Sequence, residues 1–221
     1  MIAPARTAVY NVLAAIAAGR ADLGSALAAS RAEPRDERDR ALVAEIATGV
    51  QRWRGALDHL IREAAGRPLR RLDAEVLEIL RLSAYQLLYL TRVPASAVVD
   101  DAVNMTKKLG KRSASGLVNA VLRSLSRQRG TRSLPRRPEH PDQPDEREQA
   151  LDYLSATLSH PRWLATRWLD RLGFDGAEAW MEFNNVPAPV TLRANRLRTD
   201  VQTLRKALEG LELHATPARF A

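Results

Sequence analysis

The chain has 221 residues, of which 45% are apolar, and this is enough to bury one large core or two smaller ones. Its formal net charge is +8, and the absence of cysteine excludes disulfides, thiol chemistry and cysteine-ligated metals and fits a cytoplasmic protein. No run of about 18 apolar residues occurs, so no membrane span is predicted.

The first 130 residues are predicted to form an all-α domain. Leucine and alanine are abundant, and aromatic residues make up only 5% of the chain, which favours helices over a β sandwich. The segment 73–90 is apolar almost all round, so we expect it to be a central, buried helix. The segment 37–64 contains Gly49 and Gly55, and a break is expected near one of them. The predicted helices of this domain are 4–18, 22–29, 37–64, 73–90, 94–108 and 113–128.

A linker and a smaller unit are predicted to follow. Residues 131–147 contain four prolines and many charges, a composition typical of a linker. Within 148–221 we expect a helix that Ser159 caps and Gly173 ends, and then a second helix up to Asn185. The remaining predicted elements are a strand at 190–196, a helix at 200–209 and a strand at 211–215. The expected fold class is therefore mainly α, with an all-α bundle followed by a small α/β segment.

The sequence shows no constellation of residues typical of a catalytic site. Residues 110–115, GKRSAS, join two predicted helices and lack the flanking residues of a phosphate-binding loop, and no G-x-G pair of a dinucleotide or S-adenosylmethionine loop occurs. Asp100 and Asp101 are adjacent and point about 100° apart on a helix, so we expect them to supply favourable charge near a helix N-terminus. None of the histidines has the paired spacing of a helical zinc site; they are His59, His140, His160 and His214.

The basic residues are concentrated in one part of the chain. Residues 102–138 hold ten lysines and arginines and neither an aspartate nor a glutamate. In a chain of which 27% is charged, such an acid-free stretch indicates a polyanionic partner. A nucleic acid is the favoured partner. A membrane surface, an acidic protein or an ordinary solvated face are the alternatives.

The predicted helix 113–128 combines an apolar face with a basic one. At 100° per residue, Asn119, Arg123 and Arg127 fall within about 80° of one another, and Arg112 lies on the same arc if it is already helical. Leucines and valines occupy the other side, which we expect to pack on the core. Arginine forks suit phosphates, and an asparagine can bind a base edge or a ribose hydroxyl. The lysines at the turn that leads into this helix are Lys107, Lys108 and Lys111.

Structural alternatives remain for some of these residues. If Asn119 is buried, it caps or crosslinks helices inside the bundle instead of binding RNA. Tryptophans serve as base-stacking platforms in proteins that bind single strands. At helical spacing, however, tryptophan is more typical of a core, and this is the role expected for Trp53, Trp163, Trp168 and Trp180.

Several stretches resemble the NusB-type RNA-binding fold. They are IATGVQRWRGALDHLI, LRLSAYQLLYLTRVPASAVVDDAVNMTKKLG and SGLVNAVLRSL, and the resemblance spans about residues 4–128. The AYQLLYL-x-x-VP helix and turn and the VNAVLR helix are its most specific parts. That family is an all-α bundle used in transcription antitermination, and it also forms the N-terminal domain of Sun-type ribosomal RNA cytosine-5 methyltransferases.

The segments after the linker favour the methyltransferase branch of this family. LSHPRWLATRWLDRLG and NNVPAPVTLRANRLRT are similar to the segment that joins the NusB-like part to the catalytic domain in Sun-type enzymes. A stand-alone antitermination factor is expected to end near residue 130, and this chain continues beyond it.

The resemblance implies RNA-facing positions but no catalytic ones. The matching RNA-facing positions are Arg6 in the first helix, the turn 107–112, and Asn119 and Arg123 in the VNAVLR helix. The family's catalysis uses one cysteine that adds to C6 of the cytosine and a second that assists, and this sequence has neither. No catalytic or cofactor-binding residue is therefore assigned, the catalytic domain is expected to be absent from this chain, and S-adenosylmethionine is expected only for the full-length parent.

The favoured interpretation is the RNA-binding N-terminal portion of a 16S ribosomal RNA (cytosine-5) methyltransferase, which positions the RNA for a catalytic domain outside this chain. The expected partners are ribosomal RNA and that catalytic domain, without a membrane, and the oligomeric state is left open. The alternative is a free-standing NusB-like antitermination or RNA-binding factor with residues 139–221 as an accessory unit. A helical interaction domain without an RNA role is the third interpretation.

Overall fold

The computed structural model describes residues 2–31, 36–128, 133–141 and 143–217. These residues are mainly helical, as predicted, and no β-strand occurs among them. None of the helices in these ranges is long and apolar enough to cross a membrane. The chain divides into two compact units, Met1–Asn185 and Val186–Ala221.

A helical bundle forms the first part of the unit Met1–Asn185. The side chains of Asp22, Asp36 and Asp73 each accept a backbone N–H at the start of a helix. Gly66 ends the fourth helix with φ 61°, a left-handed conformation that glycine adopts without strain. The helices are α1 Pro4–Ala17, α2 Leu23–Ser30, α3 Glu37–Arg52, α4 Arg54–Ala65, α5 Ala74–Tyr89, α6 Ala95–Lys108 and α7 Ser115–Arg127.

Helix α5 lies at the centre of the bundle, where it packs against α1, α3, α4, α6 and α7. It is buried from Val76 to Leu88 apart from one half-buried leucine, which confirms the prediction of a central helix. Its buried charged side chains are paired: Arg81 donates to both carboxylate oxygens of Asp58 at 2.7 Å and also pairs with Glu78. Each fully buried leucine of such a helix contributes about 2 kcal/mol to folding.

The single helix predicted after α2 is in fact two helices, α3 and α4, which meet at Trp53 with φ −101° and ψ 22°. The break lies between Gly49 and Gly55. The two glycines do not break the helix themselves; each allows another part of the chain to pack closely against it. A Cβ on Gly49 would lie 2.0 Å from the Tyr85 ring, and a Cβ on Gly55 would lie 2.3 Å from the carbonyl oxygen of Ser155.

The rest of the unit Met1–Asn185 carries a second apolar core. A short helix, α8 Arg147–Asp152, a π-helix, Tyr153–Thr157, and a long helix, α9 Arg162–Asn185, supply its residues. Gly173 kinks α9 with φ 70°, at the position where the sequence predicts the end of a helix. The second core is built from residues between 150 and 181, and the bundle core from residues between 5 and 125.

Ser159 does not cap α9, contrary to the prediction, because α9 begins at Arg162. The Ser159 hydroxyl oxygen instead accepts a 2.8 Å hydrogen bond from the backbone N–H of Ala56 in the first turn of α4. The first N–H groups of a helix have no partner within the helix, so Ser159 satisfies one of them from a distant part of the chain. This contact ties the second core to the bundle.

The described part of the predicted linker 131–147 contacts the second core. Arg137 pairs with Asp175 at 2.7 Å and with Glu178 at 3.0 Å. The unit Met1–Asn185 includes both sides of this linker, and independent folding of the predicted domains 1–130 and 148–221 stays a prediction. Residues 131, 132 and 142 of the linker lie outside the described residues.

In the unit Val186–Ala221, the regular element of the described residues is α10 Val201–Glu209, which confirms the helix predicted at 200–209. The Asp200 side chain caps it. The strands predicted at 190–196 and 211–215 are not formed. A strand needs a neighbour to pair its backbone groups, and residues 186–217 contain no second strand. The apolar side chains there are exposed, among them Val190, Leu192, Leu197, Leu211 and Leu213.

Candidate nucleic-acid interface

Helix α7 has one face in the core and one in solvent. On the outer face Arg123 and Arg127 are exposed and Asn119 is half-buried. Arg123 Nε donates a 3.0 Å hydrogen bond to Asn119 Oδ1, so these side chains lie side by side, as residues four apart on a helix do. Asn119, Arg123 and Arg127 therefore lie as a row on the outer face of α7, where the sequence places them. The side chains on the inner face are Val118, Val121, Leu122 and Leu125, and α7 packs there against α4, α5 and α6.

Three further cations extend this basic surface beyond the helix. Arg112 lies in the 3-10 turn Arg112–Ala114 directly before α7. Lys107 and Lys108 lie in the last turn of α6, where the helix dipole favours positive charge. All three side chains are exposed, and none forms an ion pair within the described ranges. Their charges are thus available to an anionic partner.

Lys111 belongs to the same turn, but its charge is already engaged. Its Nζ lies 2.5 Å from Asp73 Oδ2 and 3.5 Å from Glu75 Oε2. The hydrogen bond to Asp73 is the largest cause of a raised pKa of the Lys111 ammonium. The ion pair also holds the turn between α6 and α7 against the start of α5. A contact of Lys111 with RNA stays a prediction.

Arg6 lies apart from the exposed row. Its side chain is only 13% exposed, and its Nη1 lies 2.5 Å from Asp101 Oδ2. Its Nε donates to Gln86 Oε1 at 2.8 Å. The guanidinium is therefore held by protein groups, and a contact of Arg6 with RNA stays a prediction. Asp101 also has a role other than the predicted helix-terminal charge, whereas Asp100 is exposed.

Three arginines outside the predicted set lie on the segment that leads into Asp73, the ion-pair partner of Lys111. They flank or belong to the 3-10 turn Leu69–Arg71, which comes just before Asp73. All are exposed, and the structure shows no ion pair for them among the residues it describes. Their signal in the sequence is GRPLRR at 66–71, which lies outside the acid-free stretch 102–138. These arginines are Arg67, Arg70 and Arg71.

A cleft of about 320 Å³ lies between α4 and the π-helix. Its carboxylates are already paired: Asp58 with Arg81 at 2.7 Å, and Asp152 with Arg162 at 2.6 Å. Burial is the largest cause of a lowered pKa of His59, which lines the same cleft. No cluster of residues suited to hold a metal ion occurs in the part of the chain that the structure describes. The cleft therefore presents salt bridges in place of free carboxylates.

The tryptophans divide between the cores and the surface. Trp53 is half-buried and stacks on Tyr89 with ring centroids 5.5 Å apart, and Trp168 packs against the second core. Trp163 and Trp180 are 66% and 47% exposed, so the prediction that they are core residues is wrong. Helical spacing alone does not indicate which faces of α9 are covered, because α9 has apolar residues on more than one face.

Two family models match the sequence. The model of the NusB family matches residues 3–127, which is more than half of the chain and covers the helical bundle. The model of the RsmF/B-like methyltransferase ferredoxin-like domain matches residues 160–221, which contain α9 and α10.

Curated relatives are similar to most of this chain. Ribosomal RNA small subunit methyltransferase B of Pseudomonas putida is 36% identical over 191 residues, 86% of this chain and 40% of that protein. The protein of the same name from Pseudomonas syringae pv. tomato is 33% identical over 216 residues, 98% of this chain and 44% of that protein. The chain thus spans about two fifths of the length of these relatives.

The bundle also has a counterpart among solved structures. The structure of T. maritima NusB has a TM-score of 0.52 and 23% sequence identity, and the likeness covers 58% of this chain and 94% of that chain. At this identity the likeness shows the fold alone. The match of the family model to residues 3–127, more than half of the chain, shows that the chain belongs to the NusB family.

Proposed function

We propose that this chain is the RNA-binding portion of a 16S ribosomal RNA (cytosine-5) methyltransferase and that its NusB bundle positions the RNA for methylation. The observation that carries the proposal is the pair of exposed arginines, Arg123 and Arg127, beside the half-buried Asn119 on α7, with the exposed Arg112 just before that helix, on a bundle of the NusB family. The names of the Pseudomonas relatives suggest the ribosomal substrate. The match of residues 160–221 to a methyltransferase-associated domain favours this function over that of a free-standing NusB-like factor.

The two kinds of side chain in the row have different tasks in this proposal. A planar guanidinium binds two phosphate oxygens at once, so Arg123 and Arg127 hold the RNA backbone whatever its sequence. Asn119 Oδ1 accepts the hydrogen bond from Arg123, which leaves its Nδ2 to donate to a base edge or a ribose hydroxyl. Asn119 therefore contributes preference for one RNA, and the arginines contribute affinity.

Methyl transfer belongs, in this proposal, to another part of the whole protein. The chain contains no cysteine, and the cytosine-5 chemistry expected of the family requires one. S-adenosylmethionine is proposed to bind to that catalytic part, which acts in the cytoplasm with this chain. Calorimetry of the chain with S-adenosylmethionine is expected to show no heat of binding. Saturable binding at micromolar cofactor would overturn this part of the proposal.

Titration of a 16S ribosomal RNA fragment into the chain at several salt concentrations tests the RNA-binding function. Four to six phosphate contacts give a log–log slope of about −3 to −5. The variant Arg123→Ala/Arg127→Ala is expected to flatten that slope by roughly 1 to 2. The control variant Arg38→Ala/Arg40→Ala removes two exposed arginines from α3 and should leave the slope unchanged. An unchanged slope in the α7 variant, or no binding by the wild type, contradicts the proposal.

A further inference from the structure

We infer that Arg67, Arg70 and Arg71 form a second site for the RNA backbone, which continues the α7 surface across the turn 107–112. The inference rests on the proposed RNA-binding function and extends it to residues that neither the family resemblance nor the acid-free stretch selects. We call these three residues the 67–71 arginines.

The protein holds the 67–71 arginines in outward-facing positions on a well-anchored segment. Leu69 and Leu72 pack against the bundle core on either side of the pair Arg70 and Arg71. Pro68 fixes its own φ just before the 3-10 turn Leu69–Arg71. The arginine side chains are exposed while Leu69 and Leu72 anchor the segment, so an anion binding there would order few backbone groups and lose little conformational entropy.

The 67–71 arginines lack the partners that arginines have elsewhere on this protein. Around the second core, Arg137, Arg147 and Arg162 each pair with acidic side chains at 2.5–2.7 Å. For the 67–71 arginines, the described ranges show no such pair. The dipole of α4 favours cations only within its last turn, which ends at Ala65, so it does not account for three positive charges beyond that point.

The ion pair between Lys111 and Asp73 connects the two basic surfaces. Arg71 is two residues before Asp73, so their Cα atoms are at most about 7 Å apart. Lys111 lies in the same turn as Lys107, Lys108 and Arg112. Lys111 lies 2.5 Å from Asp73 and 3.5 Å from Glu75, so its single positive charge offsets part of the negative charge of these two carboxylates beside the two groups of cations. A polyanion lying over this ion pair would touch cations on both sides of it.

The composition of the surface favours an RNA backbone over an acidic protein. Stable protein interfaces have an apolar or aromatic centre. Between Gly66 and Leu72 the exposed residues are the three arginines, Gly66 and Pro68, and both leucines pack against the bundle core. Phosphate recognition needs only such donors and is independent of sequence. If an acidic protein is the true partner of these arginines, Arg67→Ala/Arg70→Ala/Arg71→Ala will bind RNA as the wild type does in the test below.

The test compares two triple variants of the full chain in RNA titrations over a range of salt. In Arg67→Ala/Arg70→Ala/Arg71→Ala the log–log slope should fall by about 2, from three contacts of roughly 0.7 each. The affinity for a long 16S ribosomal RNA fragment should fall at least tenfold, whereas that for a short oligonucleotide that covers only the α7 row should change little. The matched control is Arg20→Ala/Arg38→Ala/Arg40→Ala, which removes three exposed arginines elsewhere on the bundle and should keep the wild-type slope.

Each outcome decides between the inference and the function on which it rests. One outcome overturns the second site alone: Arg123→Ala/Arg127→Ala weakens RNA binding, while the 67–71 variant binds like the wild type and the control. In that case the RNA-binding function stands. Equal losses in both triple variants indicate net charge alone and also overturn the site. Absence of RNA binding by the wild type overturns the function itself. Arg67→Lys/Arg70→Lys/Arg71→Lys should keep the wild-type slope, and Arg67→Gln/Arg70→Gln/Arg71→Gln should repeat the loss seen with alanine. This result would exclude a folding defect specific to alanine.

Discussion

Arg6 Nη1 and Asp101 Oδ2 lie 2.5 Å apart, so an arginine on α1 and an aspartate on α6 form an ion pair that is largely shielded from solvent. Arg6 Nε also donates to Gln86 Oε1 on α5, and Asp101 accepts a 3.1 Å hydrogen bond from the backbone N–H of Ala3. The pair thus joins three helices at the start of the bundle. Removal of one partner leaves the other charge with neither water nor a counter-ion.

Arg6→Ala is therefore expected to lower the free energy of unfolding by about 3 kcal/mol. Arg20→Ala, which truncates an exposed arginine at the other end of α1, should stay within about 0.5 kcal/mol of the wild type. Urea denaturation followed by circular dichroism measures both. The double variant Arg6→Ala/Asp101→Ala should cost less than the sum of the single variants. Unchanged stability together with weaker RNA binding in Arg6→Ala would instead favour the RNA contact that the family resemblance implies.

Ser159 makes two opposing contributions to the stability of the fold, and two different substitutions can separate them. Its hydroxyl caps α4 through Ala56, and its backbone has φ 61°, a conformation that costs a non-glycine residue about 1 kcal/mol or more. Ser159→Ala loses the cap and keeps the strain, so it should destabilise the protein by about 1 kcal/mol. Ser159→Gly loses the cap and relieves the strain, so it should be close to neutral. Thermal melts of both variants test this, and equal losses would argue against backbone strain at this position.

His160 should make the stability depend on pH. Burial lowers the pKa of His160 below its usual 6.5, while a 2.7 Å contact of its Nδ1 with the Leu158 carbonyl oxygen opposes this shift. At a pH below the unfolded value the unfolded chain binds more protons than the folded one, so stability falls as the pH drops from about 7.5 to 5.5. His160→Asn keeps a donor for the carbonyl but does not titrate, so its melting temperature should fall less over this range. His214→Asn serves as the control and should follow the wild type.

The helices of the bundle could be predicted from the sequence because each helix is specified by the pattern of residues within its own segment. The lack of a polar face correctly indicated the buried α5, and the apolar period of 3.6 residues indicated the two-faced α7. The pairing of Arg6 with Asp101 spans 95 residues, and no pattern within a single helix contains it. The sequence predicts that Ser159 caps the helix that follows it, because the contact with Ala56 on α4 cannot be seen in the local pattern. At 190–196 the local pattern is that of a β-strand, but no strand forms, because a strand needs a neighbouring strand to pair with.

Limited proteolysis tests the predicted boundary of the bundle. The bundle core uses only residues between 5 and 125, so a fragment ending near residue 130 should retain its helices and melt cooperatively. Trypsin should cut first between residues 129 and 148, before any site within 73–128. Cleavage after Arg137 should be slower than its exposure suggests, because Arg137 pairs with Asp175 and Glu178. Early cuts inside α5 to α7 would show that the bundle depends on the second core.

Substitution of Asn119 can distinguish a residue that contacts RNA from one that stabilises the helical bundle. It is half-buried, and its Oδ1 accepts a hydrogen bond from Arg123 on the same helix face, a contact worth about 0.2 to 0.5 kcal/mol. Asn119→Ala should therefore change the melting temperature very little. An asparagine that crosslinks buried helices would instead cost about 1 to 3 kcal/mol on removal.

The RNA-binding behaviour of Asn119→Ala should differ in kind from that of the arginine variants. An uncharged side chain releases no counter-ions, so the log–log salt slope should equal that of the wild type. The ratio of affinities for a 16S ribosomal RNA fragment and an unrelated RNA of equal length should fall, because the lost contact is to a base edge or a ribose. Arg127→Ala, one helical turn beyond Arg123, is the matched comparison and should weaken both RNAs alike while reducing the slope by about 0.7 to 0.9. If Asn119→Ala lowers the melting temperature strongly while the affinity ratio stays constant, Asn119 is a packing residue, and RNA preference must come from another part of the surface.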